Sequence, residues 1–226
     1  MGDYGVFDII GPVMVGPSSS HTAGAARLGE MARSLCGGKI SEVTFELHGS
    51  FAQTYQGHGT DKALLAGIIG LRPADERLPR SFELADQLGL RYRFVPTDLG
   101  SVHPNTVRFL IVTEAGEHYS ITGSSVGGGN VVITDINGIP VSFTGESPII
   151  VTRHKDTPGV ISNITALLYN ERVNIGNMRV NRHKTSGTAD MYLELDKEID
   201  PSVLEKIRAL PDMENVLELR CQPDEF

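Results

Sequence analysis

Between residues 149 and 220 the hydrophobic pattern switches repeatedly between a period of two and a helical period of about 3.6, and few folds accept the resulting order. Strands are expected over 149–154, 174–182, 187–195 and 215–220, with helices over 158–171 and 200–209. The third strand is the cleanest, because Ala189, Met191, Leu193 and Leu195 alternate with Asp190, Tyr192, Glu194 and Asp196. Val160, Ile161, Ile164, Leu167 and Leu168 form one helical stripe, and Val203, Ile207 and Leu210 form another. The order is βαββαβ, and a segment of this kind can bury a core without help from the rest of the chain.

The preceding residues follow a different plan. Ala25, Leu28, Ala32 and Leu35 recur at helical spacing over 23–36, and Gly37-Gly38 stops that helix. A half-buried strand is expected over 42–47, a buried helix over 63–69 and an amphipathic helix over 80–88. Strands follow over 90–95, 107–113, 118–124, 130–135 and 139–144, with Asn137-Gly138 as the strongest hairpin signal. The fold class is therefore α+β in two domains, 1–145 and 148–226, joined by Gly145-Glu146-Ser147-Pro148; the second is a ferredoxin-like unit.

The 226 residues are 40% apolar and 21% charged, ordinary values for a globular protein. A net charge of −8 with scattered Lys and Arg argues against nucleic acid as a partner. Gly, Pro or a charge interrupts every apolar run, so no membrane partner is expected. Met1-Gly2-Asp3-Tyr4 lacks the start of a secretory signal, and a cytoplasmic location is expected. Cys36 and Cys221 match no metal or redox pattern, and no metal ligands are assigned here. Two thiolates cannot hold a four-cysteine cluster, so any iron–sulfur cluster must sit mostly or wholly on another chain.

Several clusters carry chemistry. Gly16-Pro17-Ser18-Ser19-Ser20-His21-Thr22-Ala23-Gly24 runs into the first helix, where hydroxyls and free N–H groups form a receptor for a carboxylate or phosphate. The alternative is an elaborate helix cap. Gly49-Ser50-Phe51 and Gly57-His58-Gly59-Thr60-Asp61 flank a strand end; His58 is either a reachable proton carrier or incidental to a cap formed by Thr60 or Asp61. Val102-His103-Pro104-Asn105-Thr106 sets a second histidine at the head of a strand. Ser124-Ser125-Val126-Gly127-Gly128-Gly129 fits either backbone contact with a ligand or partner, or a bulge. A Ser–His hydrolase is the poorer reading, for the chain has no Gly-x-Ser-x-Gly elbow. In the second domain, Asp156-Thr157-Pro158-Gly159 should start a helix with Pro158 in its first turn and Asp156 or Thr157 as cap.

Taken together and in this order, the N-terminal motifs (with Phe7-Asp8-Ile9-Ile10-Gly11-Pro12 ahead of them) resemble the β chain of bacterial iron–sulfur-dependent L-serine dehydratase of the two-chain type. The βαββαβ segment, with Asp156-Thr157-Pro158-Gly159 and Asn174-Ile175-Gly176, resembles the ACT domain family. The β domain of that family is also similar in fold to an intervening domain of some phosphoglycerate dehydrogenases. The resemblance implies a lyase of serine catabolism and gluconeogenesis, converting L-serine to pyruvate and ammonia. Its 4Fe-4S cluster is ligated mainly or wholly by a partner α chain and acts as a Lewis acid. It further implies His58, with His103 as second candidate, as base or relay. Ser18, Ser19, Ser20, His21 and Thr22 would hold the serine carboxylate, in the active site or a regulatory one. An ACT domain implies self-association and allosteric binding of a small amino acid such as L-serine at Asp156, Gly159, Asn174 and Ile175. The competing reading is a non-enzymatic amino-acid-binding regulator or scaffold.

Overall fold

The computed structural model describes residues 18–220, so the first motif up to Pro17 and Cys221 lie outside the described residues. The chain divides into two compact units, one ending at Thr144 and the other beginning at Gly145. Both are α+β. No helix among the described residues is long and apolar enough to cross a membrane.

In the first unit a π-helical turn, Ser19–Ala23, leads into helix α1, Gly24–Cys36, which ends at Gly37 in the left-handed conformation. Strand β1, Ile40–Leu47, is followed by helices α2 (Gly49–His58), α3 (Thr60–Ile68) and α4 (Ser81–Gln87). Strands β2 (Arg91–Pro96), β3 (Thr106–Thr113), β4 (His118–Gly127), β5 (Asn130–Ile136) and β6 (Ile139–Phe143) complete it. The sheet order is β2-β1-β3-β4-β5-β6. Among the described strands only β1 and β2 run parallel, as the long helical crossover between them allows. One face buries Val43, Phe45 and Leu47 with Val107, Phe109 and Ile111. The other carries polar pairs such as Glu42 with Arg91 and Glu46 with Arg108.

Two glycines set how closely α1 and α3 cross. A Cβ on Gly29 would lie 2.3 Å from the Leu64 carbonyl oxygen, and one on Gly67 would lie 2.1 Å from that of Ala26. With hydrogens in those places the two backbones touch, and the N-terminal end of α1 is fixed against the helices after β1. Helix α2 was not expected. Phe51 is its only fully buried side chain, so it has no apolar stripe to read. The helix expected over 63–69 begins at Thr60, directly after Gly59.

The second unit runs β7 (Ile149–Lys155), α5 (Val160–Asn170), β8 (Ile175–His183), β9 (Thr188–Leu195), α6 (Pro201–Arg208) and β10 (Met213–Leu219). Its antiparallel sheet has the order β10-β7-β9-β8, which leaves β8 on an edge. Ile150, Met191 and Leu193 pack with Val160, Ile164, Leu168, Val203 and Ile207 in one core. One expectation is corrected here. Helix α5 starts at Val160, not Pro158, because Gly159 has φ 98° and cannot lie within a helix. Neither expected side chain caps it. The Asp156 carboxylate instead accepts from Arg182 Nε at 2.6 Å, and the Thr157 hydroxyl donates to Asp212 at 3.0 Å.

Candidate functional site

The π-helical turn is organised from its first residue. Ser18 has extended backbone, and its hydroxyl accepts the His21 N–H at 3.2 Å while its carbonyl accepts the Thr22 N–H at 2.9 Å. This turns the His21 imidazole inward, where only 9% of the residue stays exposed. Its Nδ1 lies 3.1 Å from the Ser20 hydroxyl and 3.4 Å from that of Ser18, and its Nε2 lies 3.0 Å from the Ser50 hydroxyl. Both ring nitrogens are therefore engaged. Burial holds the His21 pKa below its ordinary value, and the neighbouring His58 lowers it further.

Ser50 and Phe51 come from the first turn of α2, and His58, two turns beyond Phe51, is its last residue. The Phe51 ring centroid is 5.3 Å from that of His21, and the His58 centroid is 4.9 Å away with the rings perpendicular. His58 is exposed. Sequence reasoning placed Ser50 beside a strand end but gave it no role; its partner lies 29 residues earlier. Asp61, expected with Thr60 as a helix cap, lies inside the first turn of α3 and, like Thr60, makes no side-chain cap to it. It is buried, burial raises its carboxyl above the usual range, and the carboxylate accepts the Lys62 N–H at 2.8 Å.

The remaining N-terminal clusters pack around the same place. Gly49 presses on Pro104, whose carbonyl accepts the Phe51 N–H, and the His48 N–H donates to the Thr106 carbonyl at 3.0 Å. The Thr106 and Ser124 hydroxyls are 2.7 Å apart. The Ser125 hydroxyl fills the space a side chain at Gly24 would need. His103, however, is exposed, and its Nδ1 accepts the Asn105 N–H of its own turn at 3.1 Å. The fold thus sets His58, and not His103, against His21. The glycine-rich stretch forms the end of β4 and the turn to β5, with a register shift between Ser125 and Gly127. The hydroxyls of Thr22, Thr60 and Ser125 are buried without a hydrogen-bond partner among the described residues. A recess on the polar face of the sheet, lined by Glu42, Arg93, His118 and Tyr119, contains none of these side chains.

The described residues do not fit an iron–sulfur cluster. The Cys36 thiol is buried, donates to the Ala32 carbonyl, and has its pKa pushed up to about 12 by burial and then by Glu117. Among the described residues no three His, Cys, Asp or Glu side chains gather as a metal site. The arrangement can instead receive an anion at the hydroxyl-rich turn and move a proton at His58.

The second unit keeps its candidate residues apart. Asp156 and Gly159 follow the end of β7, where Lys155 pairs with Thr188 and Thr188 with His183. Asn174 precedes β8 at the other end of the sheet, where its N–H donates to Asp196 at 3.0 Å and Ile175 pairs with Leu195. Eight residue steps along β8 separate the two ends, about 26 Å.

Residues 5–91 match the serine dehydratase β-chain family, and residues 149–212 match the ACT domain family. The L-serine dehydratase β chain of Peptoniphilus asaccharolyticus is 44% identical over 204 residues, covering 90% of this chain and 92% of that one. A probable L-serine dehydratase β chain of Bacillus subtilis (strain 168) is 42% identical over 214 residues, covering 95% and 97%. The D-3-phosphoglycerate dehydrogenase of Synechocystis is 30% identical over 187 residues, covering 81% of this chain and 33% of its own length.

Proposed function

The chain belongs to the family of L-serine dehydratase β chains and carries an ACT domain, and from that premise we propose that it forms one wall of an active site that an α chain completes. The pair works in the cytoplasm and converts L-serine to pyruvate and ammonia. The serine loses its Cα proton and its hydroxyl, and the resulting enamine tautomerises and hydrolyses. The 4Fe-4S cluster belongs to the α chain, since this chain has no thiolate set to hold it.

What supports the division of labour is the meeting of Ser18, Ser20, His21, Ser50 and His58 at the entrance to α1. Ser18, Ser19, Ser20 and Thr22, with the helix N-terminus behind them, receive the substrate carboxylate and offset its charge. His58, exposed and beside that receptor, takes the Cα proton on its imidazole. The ACT domain pairs with a second copy through edge strand β8. Antiparallel pairing sets Asn174 and Ile175 of one copy beside Asp156 and Gly159 of the other, and L-serine bound there tunes the enzyme.

Expression of the chain alone and with its α chain tests this reading. The chain alone should neither turn over serine nor show the absorbance of an iron–sulfur cluster, and the anaerobic pair should do both. Turnover by the isolated chain near the rate of the pair would overturn it.

A further inference from the structure

We infer that His21 is a positioning residue: pinned at both ring nitrogens by serine hydroxyls, it is the wall that orients the His58 imidazole. The inference rests on His58 being the proton carrier and assigns His21 a task other than holding substrate.

The two histidines differ in every respect that matters for such an arrangement. His21 is nearly buried, its Nδ1 lies against Ser20 and Ser18, and its Nε2 lies against Ser50. With both nitrogens taken, the ring offers a substrate no free donor or acceptor, but it holds one orientation firmly. Phe51 closes on it from α2 at 5.3 Å. His58 is the reverse. It is the last residue of α2, it is exposed, and among the described residues its ring makes no hydrogen bond. Its ring packs on the His21 ring, perpendicular at 4.9 Å. An exposed imidazole at a helix end otherwise samples several rotamers, and few of them aim a nitrogen at one Cα proton. An edge-to-face contact with a fixed ring selects among them.

The other groups around the turn do not compete for this task. Asp61 on α3 accepts the N–H of Lys62, next in the chain. The Ser124 hydroxyl on β4 is paired with Thr106. Burial and the adjacent His58 both disfavour a charge on His21, which suits a neutral wall better than an acid or base.

A double-mutant cycle in the reconstituted pair tests the inference. His21→Ala should lower kcat about 3- to 10-fold, the scale that one ring–ring contact supports, with the KM for serine within about 2-fold. His21→Phe, which keeps the ring but loses the hydroxyl pins, should recover kcat only in part, to about 2- to 5-fold below the parent, as Ser50→Ala does. In a His58→Ala background, His21→Ala should change kcat no further, because the residue it positions is gone. If His21→Ala fails to fold, Ser50→Ala serves, and it should lower kcat by about 2- to 5-fold with KM unchanged. A KM at least 10-fold higher at unchanged kcat makes His21 a substrate ligand and overturns the inference. Equal losses from His21→Ala with and without His58 overturn it too, while leaving His58 its role. An unaltered kcat in His58→Ala alone sinks the parent reading and the inference with it.

Discussion

In the first unit, residues far apart in the chain meet in space; in the second, residues of one compact pattern lie at opposite ends of a sheet. His21 reaches Ser50 across 29 residues, and it does so within a single copy. Asp156 and Asn174 are 18 positions apart, yet β8 runs its full length between their two ends of the sheet. The difference is one of assembly. A site made where helices enter a core needs only the fold, whereas a site divided along an edge strand needs whatever pairs with that edge. The site proposed in the first unit should therefore be insensitive to self-association, and the one proposed in the ACT domain dependent on it.

The largest effect expected from this contrast falls on the first site. His58→Ala in the reconstituted pair should reduce kcat roughly 10²–10⁴-fold, the usual contribution of a positioned acid–base group. The serine dependence proposed for the ACT domain should persist, because neither Asp156 nor Asn174 is altered. Loss of that dependence together with kcat would mean that the two sites are not separable.

A second perturbation strikes the frame that brings the residues of the first site together within one copy. Gly67→Ala puts a methyl group 2.1 Å from the Ala26 carbonyl oxygen, where only a backbone shift can relieve it. The expected cost is about 1–3 kcal/mol. Hydrogen exchange is the suitable probe: amides of α1 and α3 should lose protection while those of β7 to β10 keep theirs. Equal loss in both units would show that the α1–α3 crossing does not stabilise the first unit alone.

How much of this could be read from the sequence follows from what each element buries. The alternation in β9 was legible because Ala189, Met191, Leu193 and Leu195 all face the same core. Helix α2 was not, because it buries one side chain fully and is otherwise polar. The start of α5 was misread for a different reason. Pro158 is a good first helical residue, but the φ of 98° at Gly159 is a property of the folded turn and leaves no periodic trace. Alternation also gave no warning that the Asp190 carboxylate would be only 1% exposed, held by Arg153 at 2.8 Å and 3.1 Å and by His183 at 2.7 Å. Of the candidate site, the residue types were legible and the contacts were not. The Ser-Ser-Ser-His run announces polar chemistry, but that His21 turns to Ser50 and His58 depends on the glycine-mediated crossing of α1 and α3.

The smallest expected effect bears on the edge itself. Met178 sits on β8 opposite Leu193 and is 48% exposed, although Val180, two residues on along the same face, packs on the core. A large apolar side chain left half open on an unpaired edge is what a second copy would cover, and covering the rest of it is worth about 1 kcal/mol or somewhat more. Met178→Lys removes that gain and adds the charge that sheet edges use against pairing. Self-association of the full chain, followed by sedimentation, should weaken by about 5- to 10-fold. Dehydratase activity of the reconstituted pair at low serine should stay close to the parent value, for the residues this chain brings to the first site all come from one copy. If Met178→Lys leaves the association constant unchanged and the 147–226 fragment is monomeric at high concentration, β8 is not the contact. The divided residues at the two ends of the sheet would then have no second copy to join them.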